Sequence, residues 1–105
     1  MRYPLSVEVK AFASDGPTQF GPDKKFSVIY FLDMRKWNVN RIVLWKVNLT
    51  NDSKEFKNIK INKTQTHSDQ CQEGRRPRIN WDSLYPQISE HCEKIYDGTF
   101  EEVFK

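Results

Sequence analysis

A chain of 105 residues with 37% hydrophobic and 13% aromatic residues supports one small domain, residues 1–105, whose core rests on a few large side chains. The composition excludes a disordered tail, and a formal net charge of +3 permits an anionic partner without requiring one. No apolar run approaches the ~20 residues that cross a bilayer, and no secretory signal opens the chain, so the expectation is a cytoplasmic protein with no membrane partner. Cys71 and Cys92 form no CxxC pair and read as reduced structural thiols.

Residues 3–12 alternate apolar and polar side chains with the period of a strand. Glu8 and Lys10 therefore share one face, and Leu5, Val7, Val9 and Ala11 line the other. Two Gly-Pro pairs make residues 13–25 a loop, and residues 26–32 follow as an apolar, β-branched and aromatic run typical of a central strand. Residues 33–40 are a polar connector holding Trp37, which reads with Trp45 and Trp81 as a core or interface anchor. Residues 41–47 predict a third strand antiparallel to the second, giving a three-stranded meander.

Residues 56–61 predict a shorter fourth strand, and residues 62–78 a polar loop with room for a short helix. Ser83 is positioned to cap a helix carrying Leu84, Ile88, Cys92 and Ile95 at helical spacing and ending near Gly98. Thr99 to Glu102 has capping-box spacing, a short closing turn in which Phe100 and Val103 pack. The fold class is α+β: a small mixed or antiparallel sheet of three to four strands with a C-terminal helix.

A carboxylate and an ammonium two apart on one strand face suit metal-assisted phosphodiester cleavage. Glu8 would help hold a divalent ion, and Lys10 would orient water and stabilise charge at phosphorus. Asp33, at the end of the second strand, is the candidate second metal-binding carboxylate. In the Gly-Pro loop, Ser14, Thr18 and Gln19 are candidate phosphate or base contacts. Gln72, Arg75, Arg76 and Arg78 form a second candidate nucleic-acid patch, in which Pro77 splays the arginines. His67 and His91 have no obvious nucleophile beside them.

Together, Ser6-Val7-Glu8-Val9-Lys10, the Gly-Pro loop, the apolar strand, Arg75-Arg76-Pro77-Arg78 and the closing helix resemble the C-terminal half of a PD-(D/E)XK nuclease of the type II restriction endonuclease kind. The resemblance implies magnesium-dependent hydrolysis of double-stranded DNA, with Glu8 and Lys10 in the catalytic roles. It also implies an aspartate on a strand before Glu8. Only Met1 to Tyr3 stand there, so the expectation is a restriction-endonuclease-like fragment whose site is completed by a second chain or a homodimer. The competing expectation is a small non-enzymatic module of phage or mobile-element origin that binds nucleic acid or protein.

Overall fold

The computed structural model describes residues 6–21 and 25–99. The expected strand start at Tyr3 and the closing turn at Phe100 lie outside those residues. In chain order the elements are β1 (Val7–Phe12), β2 (Thr18–Gln19), β3 (Val28–Asp33), β4 (Arg41–Val47), α1 (Lys54–Lys57), α2 (His67–Gln72), β5 (Arg78–Ile79), α3 (Trp81–Ile88) and β6 (Cys92–Thr99). Four strands form a mixed sheet in the order β1-β3-β4-β6, and β2 pairs with β5 in a separate two-stranded ribbon. The α+β expectation holds.

β3 and β4 form where β-branched and aromatic residues concentrate, and they pair antiparallel with Phe31 opposite Trp45. β1 instead runs parallel to β3, with Glu8 opposite Ile29 and Lys10 opposite Phe31, so the first three strands are not a meander. Parallel pairing needs a crossover, and the Gly-Pro loop supplies it. One sheet face carries Ile29, Phe31, Val47 and Trp45 into the core, against Phe56 of α1 and Trp81, Leu84 and Ile88 of α3. Burying a side chain such as Leu84 contributes roughly 1.5–3 kcal/mol.

Two expected elements change type. Residues 56–61 do not form a strand: the Ser53 hydroxyl accepts a hydrogen bond from the Phe56 amide at 3.2 Å and starts α1, which buries Phe56. Only Lys60 keeps extended pairing, as a single bridge to Thr66. The expected helix through Ile95 stops at Ile88. Its cap is Asn80, not Ser83, and the Asn80 side chain accepts from the Ser83 amide at 2.9 Å. That start puts Pro86 inside the helix, where it removes one backbone hydrogen bond and shortens the element. Residues 92–99 become β6, which satisfies the free edge of β4 and is bulged between Leu44 and Trp45. Ile95 is half exposed as a result.

Among the described residues no helix is long and apolar enough to cross a membrane. Trp81 is buried and Trp45 packs against it at 5.7 Å, as anchors should, but Trp37 is 58% exposed on the turn between β3 and β4.

Candidate functional site

The alternation of β1 is realised with its polar side turned inward. Val7 and Val9 are 50% and 56% exposed, whereas the side chains of Glu8 and Lys10 are only 13% and 22% exposed and lie 3.9 Å apart. Both line a cavity of about 160 Å³ whose apolar walls are Phe20, Phe26 and Phe56. Lys10 Nζ stands 5.4 Å from the centroid of the Phe20 ring, so the aromatic face gives the partly desolvated ammonium an attractive partner.

α2 supplies the opposite wall. Its capping box is reciprocal: the Thr66 amide donates to Asp69 Oδ2 at 2.8 Å, and the Asp69 amide donates to Thr66 Oγ1 at 3.2 Å. This start points His67 and Ser68, in the first turn, and Cys71, one turn later, at the cavity. His67 Nδ1 is 3.5 Å from Cys71 Sγ, and the imidazole meets the Phe56 ring edge-on at 4.6 Å. Burial pushes the His67 pKa down to about 4, which keeps the ring neutral. Its Nε2 is buried with no hydrogen-bond partner among the described residues.

Asp33 does not join this site. It sits opposite Phe12, four positions along the ladder from the level of Glu8. Arg35 grips it through Nε at 3.0 Å and Nη2 at 2.8 Å. Burial raises the Asp33 carboxyl, but the hydrogen bonds and charge of Arg35 more than offset this and hold its pKa below the usual range. The second carboxylate lining the Glu8 cavity is Asp52, which sequence reasoning missed. Its pKa is lowered by the hydrogen bond from Thr50 Oγ1 at 2.7 Å. Among the described residues no cluster of three or more His, Cys, Asp or Glu is arranged to hold a metal.

The two expected nucleic-acid patches do meet. β2 pairs antiparallel with β5, placing Gln19 opposite Arg78, and the Phe20 amide donates to the Pro77 carbonyl at 2.9 Å. Gln19, Arg76 and Arg78 are exposed, as are Ser14 and Gln72. Thr18 is buried, and its hydroxyl donates to the Ile79 carbonyl at 3.2 Å, so its role is to hold the ribbon together. Arg75 is engaged by Gln65 at 3.0 Å and by Glu73 at 3.3 Å. Because Phe20 is both the next residue after Gln19 and a wall of the cavity, the ribbon is physically continuous with Glu8 and Lys10.

Ser68 and Asp52 were not among the candidates read from the sequence, and His67 was set aside there for want of a nucleophile beside it. The Thr66-x-x-Asp69 capping signal was the available clue, since it fixes where α2 starts and which side chains its first turn presents.

No solved structure matches the chain. The type II restriction enzyme Bsp6I of Bacillus sp. (strain RFL6) is 35% identical over 63 residues, 60% of this chain and 34% of that enzyme. The matched part thus spans about a third of the relative's length. The Bsp6I restriction endonuclease family matches over residues 4–88, from the lead into β1 to the end of α3, and the chain belongs to that family.

Proposed function

We propose that this chain carries part of the cleavage site of a PD-(D/E)XK-type DNA endonuclease, with Glu8 and Lys10 as its catalytic pair. The observation that carries this reading is the inverted burial of β1. A strand that served only packing would bury Val7 and Val9, yet two charged side chains occupy the inward face. Withdrawing charge from water is unfavourable, so charges held in a cavity point to chemistry done there.

Glu8 and Asp52 are the residues that would hold Mg²⁺, which commonly uses one or two carboxylates and completes its shell with water and substrate phosphate. When bound, the ion supplies Lewis-acid stabilisation of phosphoryl charge. Lys10 holds the attacking water in line and places positive charge beside the phosphorus as negative charge grows there. Gln19, Arg76 and Arg78 bind the double-stranded DNA backbone and base edges at the ribbon. Ser14 and Gln72 add exposed polar contacts, and Arg75 acts as a phosphate contact only if released from Glu73. A second chain or homodimer partner would share the site.

The test is duplex cleavage with Mg²⁺. Glu8→Ala and Lys10→Ala should each abolish cutting while circular dichroism stays unchanged and DNA affinity falls steeply with salt. Salt-independent binding, or binding without cleavage under any divalent ion, would favour the non-enzymatic binding module and overturn the nuclease reading.

A further inference from the structure

We propose that the cavity beside Glu8 and Lys10 is a binding site for a single planar nucleobase, which it receives edge-first from a nucleotide next to the cleaved phosphate. The inference rests on the phosphodiester reading of Glu8 and Lys10, and four observations support it.

First, the volume of about 160 Å³ lies below the roughly 300–1,000 Å³ of pockets for drug-sized ligands, so it admits one ring system and not a whole nucleotide. Second, the walls suit a flat aromatic guest. Phe20, Phe26 and Phe56 all line the cavity, and Phe56 meets Phe20 at 5.6 Å and Phe26 at 5.1 Å, both near perpendicular, so the lining presents aromatic rings in more than one orientation. Third, the lining includes a side chain that a base edge would satisfy. His67 is 7% exposed and lines the cavity, and its Nε2 lacks a partner among the described residues. Ser68, the next residue on the same turn, also lines the cavity. A buried group without a partner is costly, and a ring nitrogen or exocyclic amine of a base would satisfy it. Fourth, Lys10 lines the same cavity, so the anionic part of the same nucleotide would lie at its ammonium.

One base chemistry has two sources here, a nucleotide extruded from duplex DNA or a free nucleoside. Duplexes carrying 2-aminopurine at successive positions separate them, because extrusion unstacks the probe. With the wild-type protein bound, fluorescence should rise roughly twofold or more at one position only. Ser68→Leu fills the cavity from a helical position, and should abolish that rise and any nucleoside binding while salt-dependent DNA binding persists. In parallel, each of the four nucleosides is titrated into wild-type protein and followed through the ring resonances of Phe26, Phe56 and His67.

A rise at one position supports extrusion into the cavity. Nucleoside shifts without any 2-aminopurine response keep the base site but overturn its DNA source. Neither response, with DNA bound, overturns the proposal and leaves the cleavage reading standing. Absence of DNA binding and cleavage overturns the cleavage reading, and the nucleoside titration then decides the base site by itself. The wild-type measurements stand even if Ser68→Leu does not fold.

Discussion

Two carboxylate–cation pairs occupy the same face of the sheet and are built in opposite ways. Asp33 and Arg35 close at 2.8 Å, and the same guanidinium reaches Asp15 of the Gly-Pro loop at 2.8 Å and Asp82 of α3 at 3.0 Å. Its plane also lies 5.3 Å from the centre of Phe12. Glu8 and Lys10 stand 3.9 Å apart in the lining of the cavity. The first pair ties three chain segments together through short, directional, multiply shared bonds. The approach of Glu8 to Lys10 is longer, and both side chains line the cavity. Proximity of unlike charges on one face therefore says little by itself; short, directional bonds shared among several segments mark Arg35 as a fastening.

The largest effect expected to sharpen this contrast is on cleavage. If Glu8 has the proposed cleavage role, Glu8→Gln, which keeps shape and removes charge, should lower the cleavage rate by roughly 10²-fold or more while the denaturation midpoint moves little. A large loss of stability would erase the distinction.

Acid should act next, through the wall of the same cavity. His67 titrates near 6.5 when unfolded and at about 4 in the fold, because burial disfavours the charged ring. The unfolded chain therefore binds the proton first as pH falls. The neutral ring's contribution is fully present above about pH 6.5 and is lost progressively toward pH 4, amounting to about 3 kcal/mol. Urea titrations across that window should show the loss, and His67→Gln should flatten it.

For the fastening, Arg35→Ala should cost about 2–4 kcal/mol by chemical denaturation, since it strands the mostly buried Asp33 carboxylate. Arg35→Lys should recover only part of this, because an ammonium cannot grip two oxygens of Asp33 as a fork. The smallest effect belongs to Asp15→Asn. Asp15 is 83% exposed, so the change should stay within about 1 kcal/mol. A larger value would mean that the Gly-Pro loop depends on this one link for its position.

The central sheet was legible because its signal is local. The runs that became β3 and β4 are apolar, β-branched and aromatic over most of their length, and burial pulls the same way as propensity. β6 was hidden because Leu84, Ile88, Cys92 and Ile95 share a spacing that suits a helix. The interruption at Pro86 and the open edge of β4 were visible only in three dimensions. Of the site, Glu8 and Lys10 were readable from the two-residue period, and the meeting of Gln19 with Arg78 was not, because it pairs segments 59 positions apart. Asp33 misled because a strand end does not reveal its neighbour: Arg35, two residues on, claims it first.

The exposure of Val7 and Val9 has a consequence for folding. Side chains alternate along a strand, so sliding β1 by one residue against β3 would bury the valines and release Glu8 and Lys10 to water. The slip would also turn the buried Phe12 out of the core, so Val7 and Val9 pull one way and Phe12 the other, a local conflict along the strand. The expected signature is a slow refolding phase that disappears when Glu8 and Lys10 are replaced by apolar residues and the inward face no longer competes with the outward one. Inward charge and rapid, unique strand pairing are thus in direct opposition along these six residues.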